Sequence, residues 1–355
     1  MKKIILTGGG TSGHVNPNIA LIPELKKLNY EVHYVGTEEG IEKRLINEVD
    51  IPFHCISTGK LRRYFSFENF TDGFKIISGL FQSIHAIRKI KPNLLFSKGS
   101  YVSFPVVLAC WILRVPVIIH DSDMSIGVAN RLAFPFAKKI CYSFPEVAGY
   151  IPKAKRVFTG VPIRESIKRG SADKGFEICK FSKEKPVILV MGGSSGSRII
   201  NSAIRDNLTI LLEKYQICHL CGKNKLDKNF LNIDGYVQFE YVGEELAHFY
   251  KMAEVIVTRA GATVANELLV LNKPSLLIPM EARFTRDDQI LNAQSLKKNG
   301  YSEVLFEKDL SNERLCKEID NLYTYRERYI RNIKSRNTID AVKVVIDLIE
   351  EYSKE

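Results

Sequence analysis

No apolar run in this sequence is long enough to cross a bilayer. The longest, FPVVLACWILRVPVII over residues 104–119, is interrupted by Pro105, Arg114 and Pro116. A spanning helix needs about 20 consecutive apolar residues. The run reads instead as a buried helix, a turn and a buried strand. A secretory signal is also not expected. Only Ile4, Ile5 and Leu6 stand between Lys2-Lys3 and the first glycines, too few for a signal's apolar core. The expectation is a chain that is soluble or peripheral to a membrane.

Cysteine is sparse and unpatterned. There are seven, and an odd number without framework spacing argues against a disulfide scaffold and for a reducing compartment. Cys218-His219-Leu220-Cys221 is a C-x-x-C, but no second pair completes a zinc site. Gln216–Leu220 reads as a strand, which makes these cysteines structural. Acidic residues are also in deficit. With 51 Lys and Arg against 40 Asp and Glu, the net charge is +11. An excess of bases suits nucleic acid, an acidic lipid surface or a phosphorylated substrate, and does not choose among them.

What is present is an α/β pattern. At 355 residues and 45% apolar, the chain can bury two cores. Short apolar runs at 4–6, 32–35, 94–96 and 115–119 alternate with amphipathic stretches. A second series runs through 186–193, 217–220, 237–241, 255–257 and 275–278. This alternation predicts parallel sheets covered by helices on both faces. Each series opens with a strand that runs into a Gly-rich turn and then a helix. The first turn is Gly8-Gly9-Gly10-Thr11-Ser12-Gly13, and the second is Gly192-Gly193-Ser194-Ser195-Gly196-Ser197. The expected domains are 1–162 and 163–337, Rossmann-like and facing a cleft, followed by a last helix within 338–355.

The first turn is a literal G-x-G-x-x-G, the mark of a dinucleotide site. Such a site also needs an acidic residue at the end of the second strand, for the ribose. That strand ends Val35-Gly36-Thr37, and Glu38 and Glu39 come late. His14, directly after the third glycine, is also foreign to the pattern. An NAD-dependent oxidoreductase therefore stands as an alternative with an incomplete fingerprint.

The segments GGGTSGHVNPNIAL, HDSDMSIGVANRL, TGVPIR, GGSSGSRIIN and TRAGATVANELLVLNKPSLLIP occur in that order. Together they resemble the MurG-type glycosyltransferases of peptidoglycan synthesis, over essentially the whole chain. The resemblance implies the GT-B architecture, with the C-terminal helix returning to the first domain. It implies transfer of N-acetylglucosamine from UDP-N-acetylglucosamine to lipid I, with inversion and without a required metal or cofactor. Another GT-B transferase with a lipid acceptor would share the fold. The implied partners are the UDP-sugar, lipid I and anionic lipids of the inner leaflet, with no nucleic acid. The implied place is the cytoplasmic face of the membrane.

Site residues follow from the same resemblance. Donor contacts would come from Ser194 and Ser195 in the second turn, Arg164 after GVPI, and Val242 for the uracil. Gly261, Ala262, Thr263 and Val264 would open the helix that carries Glu267, which binds the ribose. Gln289 would reach the sugar hydroxyls. Asp288 precedes it where many relatives carry a second glutamine. Thr11, Ser12 and Gly13 would face a diphosphate. Asp123, Tyr101 and Ser103 would meet the acceptor. Two residues compete for the role of base. His14 sits at a helix N-terminus, where the dipole favours neutral imidazole. Asp121 is its rival.

Residues 61–91 read as an amphipathic helix with more apolar surface than packing on a sheet requires. Phe70, Phe74, Ile77, Phe81 and Ile84 form one stripe, and Ile76, Leu80 and Ile87 form a second. Arg62, Arg63, Lys75 and Arg88 lie around them. Apolar residues rimmed by bases are what an interfacial anchor on anionic lipid requires.

Overall fold

The computed structural model describes residues 1–59, 68–193, 195–281 and 287–353, with side chains from residue 74 onward in the second stretch. The chain divides into two compact units. One is Met1–Arg164 with Ile339–Glu355, and the other is Glu165–Thr338. Both are Rossmann-like, each a parallel sheet flanked by helices.

Among the described residues, seven strands build the first unit: β1 (Lys2–Thr7), β2 (Tyr30–Gly36), β3 (Phe53–Cys55), β4 (Leu94–Ser97), β5 (Val117–Asp121), β6 (Lys139–Tyr142) and β7 (Arg156–Phe158). They pair in parallel in the order β3-β2-β1-β4-β5-β6-β7. Ile4, Ile5 and Leu6 are all fully buried. A strand covered on both faces reads as a continuous apolar run, so β1 does not alternate. The order reverses between β1 and β4, and ligands of such sheets bind beyond the carboxyl ends at that switch.

The helix Ser12–Lys27 packs Val15, Leu21 and Leu25 into a core that Val345 and Ile349 of the helix Ala341–Tyr352 also enter. Asp340 starts the latter helix by accepting from Lys343 N at 3.1 Å. Glu350 near its end accepts from Tyr30 OH, and Ser353 Oγ lies 2.6 Å from the same hydroxyl. The last helix is therefore an integral part of the first unit.

The described residues of the second unit form six parallel strands: β8 (Val187–Met191), β9 (Gln216–Leu220), β10 (Tyr236–Phe239), β11 (Val255–Thr258), β12 (Ser275–Leu277) and β13 (Glu303–Val304). Their order is β10-β9-β8-β11-β12-β13. Ile188, Val190, Ile217, Val255 and Val257 anchor its core.

The helix Glu68–Ile90 of the first unit packs on the helix Ser103–Ile112. Ile87 and Ile90 are buried, and Ile76, Leu80 and Ile84 are half-buried. Phe74, Ile77 and Phe81 are 64%, 55% and 67% exposed. Of the first stripe, Phe74, Ile77 and Phe81 are thus mostly exposed, while Ile84 is half-buried like Ile76 and Leu80 of the second. Lys75 and Arg88 are exposed on the same helix. Arg62, Arg63 and Ser194 lie outside the described residues, as does the side chain of Phe70. Among the described residues, no helix is long and apolar enough to cross a membrane.

Candidate active site

In the first unit, the candidate residues gather at the carboxyl ends of β1, β4 and β5. The glycine turn after β1 is held from beneath. Tyr34 OH donates to Gly8 O at 2.6 Å, and Asn18 Nδ2 donates to Thr7 O and to Tyr34 OH. On its other side lies Glu42, whose side chain is fully buried. Its Oε2 accepts from Gly10 N at 3.1 Å, and its Oε1 accepts from Thr37 N at 3.1 Å and from Thr37 Oγ1. A Cβ on Gly9 would come 2.5 Å from the Glu42 carboxyl carbon. Only glycine lets the turn lie this close to the carboxylate. Glu42 therefore occupies a backbone N–H that a dinucleotide's pyrophosphate would otherwise take.

Thr11 stands at the N-cap position of the helix that carries His14, without a side-chain capping bond. Its Oγ1 stands 3.0 Å from His14 Nδ1, and His14 is half-buried. Ser12 and Gly13 are half-buried in the same turn. The Tyr101 ring lies over Gly10, where a Cβ would approach it to 3.1 Å. Ser103 is buried, and its hydroxyl donates to Gly99 O at 2.6 Å, so it shapes its own turn from within.

Asp121 ends β5 and is 5% exposed. Its Oδ1 accepts from Asp123 N at 3.2 Å. Its Oδ2 accepts from Gly127 N at 3.0 Å and from Asn130 Nδ2 at 2.8 Å. Both oxygens are committed to holding the 121–130 turn, which presents half-buried Asp123. Arg164 ends the unit half-buried, and its Nε finds no hydrogen-bond partner among the described residues.

In the second unit, the turn after β8 leads into the helix Arg198–Asp206, which Ser197 caps by accepting from Ile200 N. Ser195 is exposed. Gly196 has φ +67°, and a Cβ there would stand 1.9 Å from Cys221 O. Neither the conformation nor the space admits a larger residue. Arg259, just past β11, donates to Ser197 Oγ at 2.7 Å and to Ile278 O at 3.0 Å, and pairs with Glu307 at 2.6 Å. It fastens the β8 turn to the end of β12.

Gly261 starts the helix Ala262–Val270, with Ala262 and Thr263 buried and Val264 half-buried. Glu267 is 5% exposed, and its Oε2 accepts from Tyr250 OH at 2.9 Å. Gln289 Oε1 accepts from Met280 N at 3.1 Å. Val242 lies half-buried between β10 and the helix Glu245–Met252.

Residues 4–142 match the glycosyltransferase family 28 N-terminal domain, and residues 187–349 match the glycosyltransferase family 28 C-terminal domain. The chain belongs to glycosyltransferase family 28. A family 28 relative from Clostridium novyi (strain NT) is 50% identical over 353 residues, covering 99% of each chain. One from Clostridium tetani (strain Massachusetts / E88) is 52% identical over 351 residues, covering 99% of this chain and 98% of its own. Both are named UDP-N-acetylglucosamine--N-acetylmuramyl-(pentapeptide) pyrophosphoryl-undecaprenol N-acetylglucosamine transferase. A crystal structure of Acinetobacter baumannii MurG shares the fold, with a TM-score of 0.77 at 23% identity over 99% of this chain and 100% of that one.

Within this family 28 chain, the C-x-x-C is structural. Cys218 and Cys221 are buried, and burial pushes the Cys221 thiol up to about 11. His219 is held between Tyr236 OH at 2.8 Å and Asn201 Oδ1 at 3.1 Å, and burial lowers its pKa to about 3. Sequence reading missed Glu42 and Arg259. Arg259 stands inside a quoted motif, next to the residues singled out. Glu42 carried no motif, because only the packing of its helix brings it to the glycine turn.

Proposed function

We propose that this chain transfers N-acetylglucosamine from UDP-N-acetylglucosamine to the 4-hydroxyl of the N-acetylmuramyl sugar of lipid I, giving lipid II. The observation that carries the reading is likeness over the full length, at about half identity, to relatives that bear this activity in their names. In this reading the second unit takes the donor. Backbone donors of the turn that holds Ser195 meet the diphosphate, where preorganised donors stabilise charge developing on departing UDP, and the family resemblance assigns Ser194 and Arg164 to the donor as well. Glu267 accepts from the ribose hydroxyls, Val242 reads the uracil, and Gln289 reaches the sugar. The residues from Gly261 to Val264 allow close approach.

The first unit takes the acceptor. His14 is the base. In the tautomer that donates from Nδ1 to Thr11 Oγ1, Nε2 is the nitrogen that receives the hydroxyl proton. Asp121 is assigned to positioning, since three N–H donors already hold its carboxylate. Asp123 and Tyr101 contact the acceptor, and Thr11, Ser12 and Gly13 face a diphosphate. The reaction inverts the anomeric centre and asks for no metal. Phe74, Ile77 and Phe81, with Lys75 and Arg88, rest on anionic lipid at the cytoplasmic face, because exposed apolar residues beside bases bind such surfaces.

The test is an assay with radiolabelled UDP-N-acetylglucosamine and lipid I in vesicles. Label should enter lipid II. Transfer only to another lipid-linked acceptor would favour a different glycosyltransferase, and binding of NADH in place of UDP would remove the reading altogether.

A further inference from the structure

Lys98 directly follows β4, and its side chain is 1% exposed. Its backbone N donates to Thr7 O at 2.8 Å. A Cβ on Gly8 would stand 2.9 Å from its Cβ, so Lys98 lies against the first glycine turn. The ammonium donates to His120 Nδ1 at 2.6 Å and to Ser122 Oγ at 2.5 Å, and neither partner is anionic. His120 is neutral, its pKa driven down by burial and by Lys98, and its Nε2 donates to Gly160 O at 2.7 Å. Burial of a cation against neutral acceptors costs free energy that an apolar side chain in its place avoids. A function explains its presence better than stability does.

The surrounding charges indicate that function. The turns at 8–11, 98–102 and 122–127 contain Lys98 and no other Lys or Arg. Glu42 lies against the first of these turns, and Asp121 and Asp123 lie at the third. The groups that act electrostatically on Lys98 are Asp121, Asp123 and Cys141 of β6, whose thiol burial holds in its neutral form. Within these three turns, the charged side chains other than Lys98 that the described residues place there are carboxylates, which repel an anionic acceptor.

We propose that Lys98 is a positioning residue whose buried ammonium makes the first unit's strand ends receptive to the acceptor's diphosphate. The inference rests on the transfer reading above. Burial lowers the Lys98 pKa to about 8, with Asp121 and Asp123 pulling the other way. The charge is therefore present at neutral pH and is lost as pH rises through the folded value. The lowered pKa favours the neutral amine in the folded state. Between that value and the unfolded lysine range, rising pH thus stabilises the fold while acceptor use declines. A merely structural lysine would make activity follow stability.

The experiment measures transfer to lipid I against pH for the full chain, for Lys98→Met and for Lys98→Arg, with UDP affinity and melting temperature alongside. Wild type should show KM for lipid I rising above about pH 8, with UDP affinity flat. Lys98→Met should raise that KM roughly tenfold at neutral pH, of the order expected from one unit charge about 12 Å away in an effective dielectric near 20, and should lack the alkaline rise. Lys98→Arg, which does not discharge, should lack the rise while keeping a lower KM than Lys98→Met. Loss of kcat with KM unmoved, or an alkaline rise that persists in both variants, overturns the proposal. If Lys98→Met does not fold, an unmoved rise in Lys98→Arg is enough to overturn it. A wild type that makes no lipid II removes the transfer reading instead.

Discussion

At the scale of the residue, hydrogen bonds separate two candidates of similar chemistry. A carboxylate that already accepts from Asp123 N, Gly127 N and Asn130 Nδ2 is poorly placed to take another proton. His14→Ala should therefore lower kcat about 100- to 10,000-fold, with UDP affinity unchanged by titration. Asp121→Asn sets an amide NH2 among N–H donors, at a cost of about 1–3 kcal/mol, and should be seen first as a lower melting temperature. Normal folding with lost turnover in Asp121→Asn, together with an active His14→Ala, would exchange the two roles. On the donor side, Glu267→Gln keeps an oxygen for Tyr250 OH and removes the charge. UDP affinity should fall about tenfold to a hundredfold, the equivalent of about 1.5–3 kcal/mol for a charge-assisted bond, while the melting temperature holds. Equal UDP affinity in a calorimetric titration would take Glu267 out of the site.

At the scale of the element, the helix Glu68–Ile90 carries more apolar surface than its neighbours cover. Ile87 and Ile90 are core, whereas Phe74 and Phe81 are mostly exposed. Phe74→Ser with Phe81→Ser should leave the unfolding free energy within about 1 kcal/mol of wild type, as surface substitutions usually do. Vesicle flotation should decline, with transfer to bilayer-borne acceptor falling in step. Transfer to a short-chain soluble acceptor should stay near its starting rate. An equal drop on both acceptors would assign the phenylalanines to packing. The glycine turns teach a related lesson. Their pattern was visible in the sequence, but Glu42 against one turn and Arg259 beside the other were not, because helix packing and strand order bring those partners in.

At the scale of the whole molecule, the chain leaves its first unit at Arg164 and returns to it at Ile339. The last helix buries Ala341, Val345, Ile346, Leu348 and Ile349. Fully burying a Val, Leu or Ile side chain is worth about 1.5–3 kcal/mol, against a usual domain stability of about 5–15 kcal/mol. Removal of residues 340–355 should therefore unfold the first unit and leave the second folded. Hydrogen exchange should show protection lost along β1 and β2 and kept along β8 and β11. Retained protection in β1 would mean that the helix is dispensable.

The sequence by itself determined the fold class, the two series of buried strands and the two glycine turns. These rest on local signals: apolar run length, helical period and the backbone freedom of glycine. Four strands escaped it. β3, β6, β7 and β13 have only two to four residues each, and a charged residue or histidine in each breaks the apolar run that marked the other short strands. The ordered motifs also carried the family resemblance. Tertiary structure alone decided that Asp121 is committed to its own turn, that Ser103 points inward and that Glu42 grips Gly10. It also decided that Lys98 is a buried cation held by neutral partners. Each of these depends on residues far apart in the chain, or on which way a side chain turns within a loop. Burial and hydrogen-bond partners exist only after the strands have paired.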